Sequence, residues 1–170
     1  MANGDFKEIA PGKLGIDPVT KIGGDWMLVT AGDESGFNTM TASWGFTGVM
    51  WGKPCAEIVI RPQRYTKEFL DKNDFFTLSF FGAEQKAALA FCGSHSGRDT
   101  DKVKETGLTP MFTDGTAAFE QAEMILVCKK LYAQPMSGEF FTDRDLDGAN
   151  YAQGDYHTAY IGEIVKAYVK

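Results

Sequence analysis

The stretch Asn38-Thr39-Met40-Thr41-Ala42-Ser43-Trp44-Gly45-Phe46-Thr47-Gly48 reads as an extended segment that stops burying its side chains. A core strand alternates large apolar and polar residues. Here Thr39, Thr41, Ala42 and Ser43 set small side chains beside Met40 and Trp44. Small residues let a flat ligand lie close to the main chain, and hydroxyls supply neutral donors and acceptors. A neighbouring Trp or Met adds polarisable surface. A Ser/Thr-rich turn running into a glycine loop is the plainer reading of the same composition.

Working outward, Trp26 to Ala31 reads as a strand ended by the turn chemistry of Gly32-Asp33-Glu34-Ser35-Gly36, and the segment from Asn38 follows as a second strand. Pro54 precedes a third, Cys55 to Ile60, of strong β propensity. Thr66 is placed to cap a short helix over Lys67 to Lys72, with Phe69 and Leu70 facing inward. Phe75 to Phe81 is a fourth strand, and Ala83 to Phe91 is Ala-rich and helical. Asp101 to Thr106 makes another short helix, stopped by Gly107. Glu123 to Ala133 and His157 to Val169 are long strands separated by a polar, Gly- and Asp-rich excursion. Strand runs cluster at both ends and no βαβ alternation persists. The fold expected is therefore mainly β, a closed antiparallel barrel with short inserted helices.

The 170 residues fit one domain, and 13 Phe, 6 Tyr and 3 Trp suit a β-rich core. A net charge of -6 argues against nucleic acid as a partner, because a phosphate backbone wants a basic face. An anionic ligand must then be held by local cations rather than by the overall field. No apolar stretch approaches the roughly 20 residues needed to cross a bilayer. The polar N-terminus lacks a signal-peptide apolar region, so neither a membrane nor secretion is expected and a cytoplasmic location is. Cys55, Cys92 and Cys128 form no CxxC pair, and with two histidines no metal centre is expected. Cys55 and Cys128 read as small core residues, whereas Cys92, beside a Gly/Ser loop, is open to exposure.

Two further stretches can carry chemistry. Arg61-Pro62-Gln63-Arg64-Tyr65-Thr66 joins the end of a strand to the start of a helix, and Arg forks suit phosphates. Gly93-Ser94-His95-Ser96-Gly97-Arg98-Asp99-Thr100-Asp101-Lys102 sets glycines, hydroxyls and cations round the entry to a short helix, the makings of an anion cradle. Ser96-x-x-Asp99 also matches a capping box, which needs no ligand. Neither a Walker motif nor GxGxxG is present.

Taken in order, Asn38-x-Met40-Thr41-Ala42-Ser43-Trp44, Lys53-Pro54, Arg61-Pro62-x-Arg64-Tyr65-Thr66, Phe75-x-Thr77-Leu78-Ser79-Phe80, Ser96-Gly97-Arg98-Asp99-x-Asp101-Lys102 and His157-x-x-Tyr160-Ile161-Gly162-Glu163-Ile164-Val165 resemble the flavin reductase-like family, and within it the flavoredoxin type. The resemblance runs from about Trp26 to the C-terminus. It implies an antiparallel Greek-key split β-barrel over residues 1–170, with 1–24 as an N-terminal extension packed on it. It also implies a homodimer, FMN held non-covalently near the subunit interface, and NADH or NADPH as small-molecule donor. On that resemblance Asn38, Thr39, Met40, Thr41, Ala42, Ser43 and Trp44 line the isoalloxazine. Arg61 and Arg64 stand near the ribityl chain or phosphate beside Gln63 and Tyr65. Ser94, Ser96 and Lys102 take the phosphate, and His157 faces the nicotinamide side. Val103 departs from the Phe that often follows Asp-Lys in the family.

Such a site needs no acid, base or nucleophile for hydride transfer, because the cofactor carries the hard chemistry. A structural histidine on a strand is the plainer reading of His157. Three functions stay open at this level: an NAD(P)H-dependent flavin reductase, an electron carrier between redox proteins with little NAD(P)H activity, and a ligand-binding barrel without redox chemistry.

Overall fold

The computed structural model describes residues 5–170. Its strands are β1 (Lys7–Ile9), β2 (Met27–Asp33), β3 (Gly36–Ala42), β4 (Gly45–Met50), β5 (Lys53–Ile60), β6 (Phe75–Phe80), β7 (Pro110–Thr113), β8 (Thr116–Phe119), β9 (Met124–Pro135) and β10 (Thr158–Val169). Among the described residues four α-helices interrupt them: α1 (Thr66–Lys72), α2 (Lys86–Ser94), α3 (Lys102–Thr106) and α4 (Arg144–Asn150). One antiparallel sheet runs β3-β2-β6-β9-β10-β5-β4, and β1 joins β10 beyond the end of β5. The first and last strands of this path, β3 and β4, are consecutive in the chain and joined only through Ser43 and Trp44. The sheet must therefore curl until its two edges meet at that joint. This is a mainly antiparallel β fold, a barrel split where the ladder is missing.

Alternate residues of the central strands feed two different cores, as a period of two requires. On β2, Met27, Val29 and Ala31 point into the barrel, where Ile58, Phe76, Phe80 and Tyr160 meet them. Leu28 points outward, into a second cluster with Leu89 of α2 and with Met111 and Phe119 of the β7–β8 hairpin. On β9, Leu126 and Cys128 face the first cluster while Ile125 and Val127 face the second. Strands covered on both faces read as nearly unbroken apolar runs, which is why these were legible.

Differences from the expectation are local. Thr66 is not the cap of α1; Tyr65 stands there without a side-chain bond, and the buried Thr66 hydroxyl accepts from Asn38 Nδ2 at 2.7 Å. The Ser96–Asp99 capping box does not form. Asp101 caps α3 by accepting from the Lys104 amide, and Ser96 Oγ accepts from the Arg98 amide at 3.2 Å. Cys92 is fully buried rather than exposed, and burial pushes its thiol up to about 11. Ahead of β2, Ile9, Leu14 and Ile16 pack on the barrel core and Ile22 is buried in it; residues 1–4 of the extension lie outside the described residues. Strand β4, at the sheet's edge, exposes Phe46 and Met50 on one face and Val49 on the other, and leads into the exposed Trp51.

Candidate functional site

Where the sheet is split, the joint between β3 and β4 opens a cleft of about 240 Å³. Met40, Thr41, Ala42, Ser43 and Trp44 line one side, with Val59 on β5, Arg61 and Arg64 following it, and His157 preceding β10. Eight of the residues expected at a ligand thus surround one hollow. Asn38, Thr39 and Lys102 line a neighbouring cavity of about 620 Å³ with the Gly97–Asp101 loop. Gln63, Tyr65, Ser94 and Ser96 line neither of these two cavities.

Residues of both hollows are anchored on the end of α2, Arg64 on Gly93 and Lys102 on Cys92. Arg64 Nη1 donates to the Gly93 carbonyl at 2.6 Å, and a Cβ at Gly93 would stand 3.3 Å from Thr41 Cβ. Gly97 packs so closely on the Asn38 amide that no side chain fits there. The Thr41 hydroxyl donates to the Leu89 carbonyl, so it can accept from a ligand but has no proton left to give. Ser94 Oγ is spent on its own helix, donating to Ala90 at 2.9 Å. Thr39 Oγ1 pairs with Thr30 Oγ1 at 2.8 Å, leaving its carbonyl to face the second cavity's lysine.

Cations dominate the electrostatics. Lys102 is buried, and its Nζ donates to the carbonyls of Thr39 and Cys92, each at 2.8 Å. Burial holds its pKa below the ordinary lysine value, Cys92 opposes that, and Arg64 adds to it. Arg64 is likewise depressed, by burial and then by Arg61. Among the described residues neither Arg64 nor Lys102 makes an ion pair. Arg61 differs: it is paired with Asp155, donates to the Asn150 carbonyl at 2.9 Å, and lies over the Tyr151 ring at 5.2 Å. Gln63 bonds the same Asp155 carboxylate at 3.0 Å. Tyr65 lies beneath Arg98, which pairs with Glu68. Tyr151 and Asp155 escaped the sequence reading because the excursion that carries them matches no motif.

His157 is buried against Trp44, with ring centroids 5.3 Å apart. Burial, with Arg61 and Arg64 behind it and Asp155 opposing, pushes its pKa down to about 4 from 6.5. Between those values the unfolded chain takes up a proton that the folded chain refuses. Stability is therefore expected to fall as pH drops from 6.5 to about 4, and His157→Asn to remove that part of the slope. Urea unfolding of both proteins across the window checks this; parallel pH profiles would refute it.

A profile of the flavin reductase like domain matches residues 20–170. Among solved structures the chain is similar to an FMN-binding protein from Thermus thermophilus with bound 1-cyclohex-2-enone, at 25% identity and a TM-score of 0.65, over 85% of this chain and 69% of that one. It is similar to flavoredoxin of Desulfovibrio vulgaris (Miyazaki F), at 20% identity and a TM-score of 0.67, over 93% and 75%. It is also similar to an NADH:FAD oxidoreductase of Streptomyces globisporus, at 20% identity and a TM-score of 0.64, over 86% and 75%. At these last two identities the likeness is one of fold. No curated protein matches the chain.

Proposed function

We propose that this chain, which belongs to the flavin reductase like domain family, binds FMN non-covalently and moves hydride or electrons through it, with NADH or NADPH as donor. One observation carries the reading: buried Lys102 and half-buried Arg64, neither with a carboxylate partner among the described residues, flank a small-residue strand in a chain of net charge -6. Buried charges are ordinarily paired, so this arrangement asks for an anion, and a phosphate tethered to a flat ring meets both halves of the site.

The residues present fit that group. Lys102 and Arg64 would hold its phosphate or electron-rich edge, and Gly97 lets the loop backbone close onto the Asn38 amide beside it. Ser94 and Ser96 border the same loop; the Ser94 hydroxyl must give up its bond to the Ala90 carbonyl to join in, whereas Ser96, which accepts from the Arg98 amide, keeps its proton to give. Ala42 and Ser43 offer the ring a low wall, with Met40 and Trp44 as polarisable neighbours. Arg61, Gln63 and Tyr65, tied to Asp155 and Arg98, hold the outer side in place. Bound FMN supplies the hydride-accepting ring, and the protein's fixed cations favour the charge that reduction creates. FMN fluorescence titration followed by anaerobic mixing with NADH or NADPH tests the proposal. Saturable quenching and rapid bleaching of the visible band are expected; a colourless protein that takes up no FMN would leave only a ligand-binding barrel.

A carrier passing electrons between redox proteins is the second reading, favoured by Trp44, 47% exposed at the edge of the cleft, where a partner could approach. Loaded protein inert to both nicotinamides would select it. In either reading the protein works in the cytoplasm as a homodimer, and the β4 edge strand, with apolar side chains exposed on both of its faces, is the element it pairs through, since exposed apolar surface marks interaction sites. Light scattering is expected to give twice 18.7 kDa, and Phe46→Glu with Val49→Glu to halve that mass. An unchanged mass in the double variant would remove β4 from the interface.

A further inference from the structure

The excursion between β9 and β10 carries Tyr151 against His157. Tyr151 Oη lies 2.7 Å from His157 Nδ1, both residues are buried, and the rings meet edge to face at 5.5 Å. A phenol has one proton to give, and two acceptors lie within its reach: Nδ1 and the Met136 thioether at 3.8 Å. A ring nitrogen is the far stronger acceptor, so the phenol donates to Nδ1. In a neutral imidazole the ring proton must then sit on Nε2. Nε2 makes no hydrogen bond among the described residues, and the sealed unpaired side-chain atoms are Ser79 Oγ and Thr116 Oγ1 rather than this one. His157 lines the cleft, so Nε2 is the nitrogen left for a ligand.

The groups facing the ring keep it neutral. Arg61 and Arg64 stand on its cleft side, and a third cation beside them is disfavoured. Asp155, the carboxylate that would favour protonation, is already engaged by Arg61 and Gln63. Tyr151 is itself fixed by the Arg61 guanidinium over its ring and by stacking on Tyr156 at 4.7 Å.

We propose that Tyr151 is a positioning residue: its phenol locks His157 as the Nε2–H tautomer, so the cleft meets a neutral donor matched to a ligand acceptor such as a carbonyl oxygen. The identity of that ligand rests on the flavin reading, whereas the lock belongs to the protein alone. Tyr151 touches no reacting atom in this scheme. It acts by denying His157 the other tautomer, which would turn a lone pair toward the same ligand oxygen.

The test uses the full chain labelled with ¹⁵N in histidine, without flavin. With only His95 and His157 present, a His95→Gln variant assigns the two rings. At neutral pH, His157 is expected to show a protonated Nε2 and an unprotonated Nδ1. Tyr151→Phe, which keeps the ring and removes the proton, is expected to give a tautomer mixture and a raised His157 pKa. In the FMN-loaded protein the same variant should slow donor-driven flavin reduction several-fold. An Nδ1–H tautomer in the unaltered protein, or an identical pattern in Tyr151→Phe, overturns the proposal, and the first of these needs no variant that folds. Failure to bind FMN with the tautomer in place would instead strike the flavin reading alone.

Discussion

Lys102→Met is expected to weaken FMN binding by about 10- to 100-fold while moving the stability of the flavin-free protein by less than about 1 kcal/mol. Two opposing terms produce the small second number. The substitution removes the donor that serves the Thr39 and Cys92 carbonyls, a loss of about 1–3 kcal/mol per charged hydrogen bond. It also removes a buried cation with no ion-pair partner among the described residues, whose desolvation costs several kcal/mol. Methionine fills nearly the same space with an apolar chain, so packing is kept. An anion in the cavity that Lys102 lines adds a term that only lysine can supply, and this term is missing from the variant. Flavin titration beside urea unfolding separates the two. A large loss of stability with unchanged affinity per folded molecule would show that Lys102 is only a strut.

The second large effect concerns the fold itself. Gly162→Val should cost roughly 2–3 kcal/mol of stability. Gly162 sits at a register shift in β10, opposite Ala56 of β5 and Lys130 of β9. A Cβ built there would stand 2.8 Å from the Phe76 ring and 3.0 Å from Cys128 Cβ. Both neighbours are wholly buried on strands held by further strands, so neither can retreat without opening the barrel core. Valine adds two methyls to a space already too small for one. Gly48→Ala is the matched control, because nothing lies within 4 Å of the added carbon. Equal urea midpoints for the two variants would contradict the packing argument.

What was legible follows from where burial leaves a periodic mark. Strands β2, β5, β6, β9 and β10 are apolar on one or both faces, and their runs stand out against turn residues. Strand β4 carries Gly45 and Gly48 and buries none of its residues, so it reads as a loop; only pairing with β5 makes it a strand. The β7–β8 hairpin was missed although Asp114-Gly115, both at positive φ, is a favoured two-residue turn. Its strands are four residues long, with two alanines in β8, too short to show a period.

The site was legible as a set of residue types but not as a circuit. Arg61, Arg64, Lys102 and the hydroxyl-rich strand announced themselves by chemistry. What each is bonded to depends on distant chain. Asp155 lies 94 residues beyond Arg61, and Leu89 takes the Thr41 proton across 48 residues. Ser94 turned out to be the last residue of α2, a boundary that decides where its hydroxyl points.

The meeting of β3 and β4 has a mechanical meaning. A hoop whose free ends are tied by a two-residue strap can breathe at that strap alone, and Ser43 and Trp44 are also the lip of the hollow. A molecule seated there would act as a buckle, stiffening strands it scarcely touches. Amide deuterium uptake in Gly36–Met50 should accordingly slow on loading with FMN, while the β7–β8 hairpin keeps its rate.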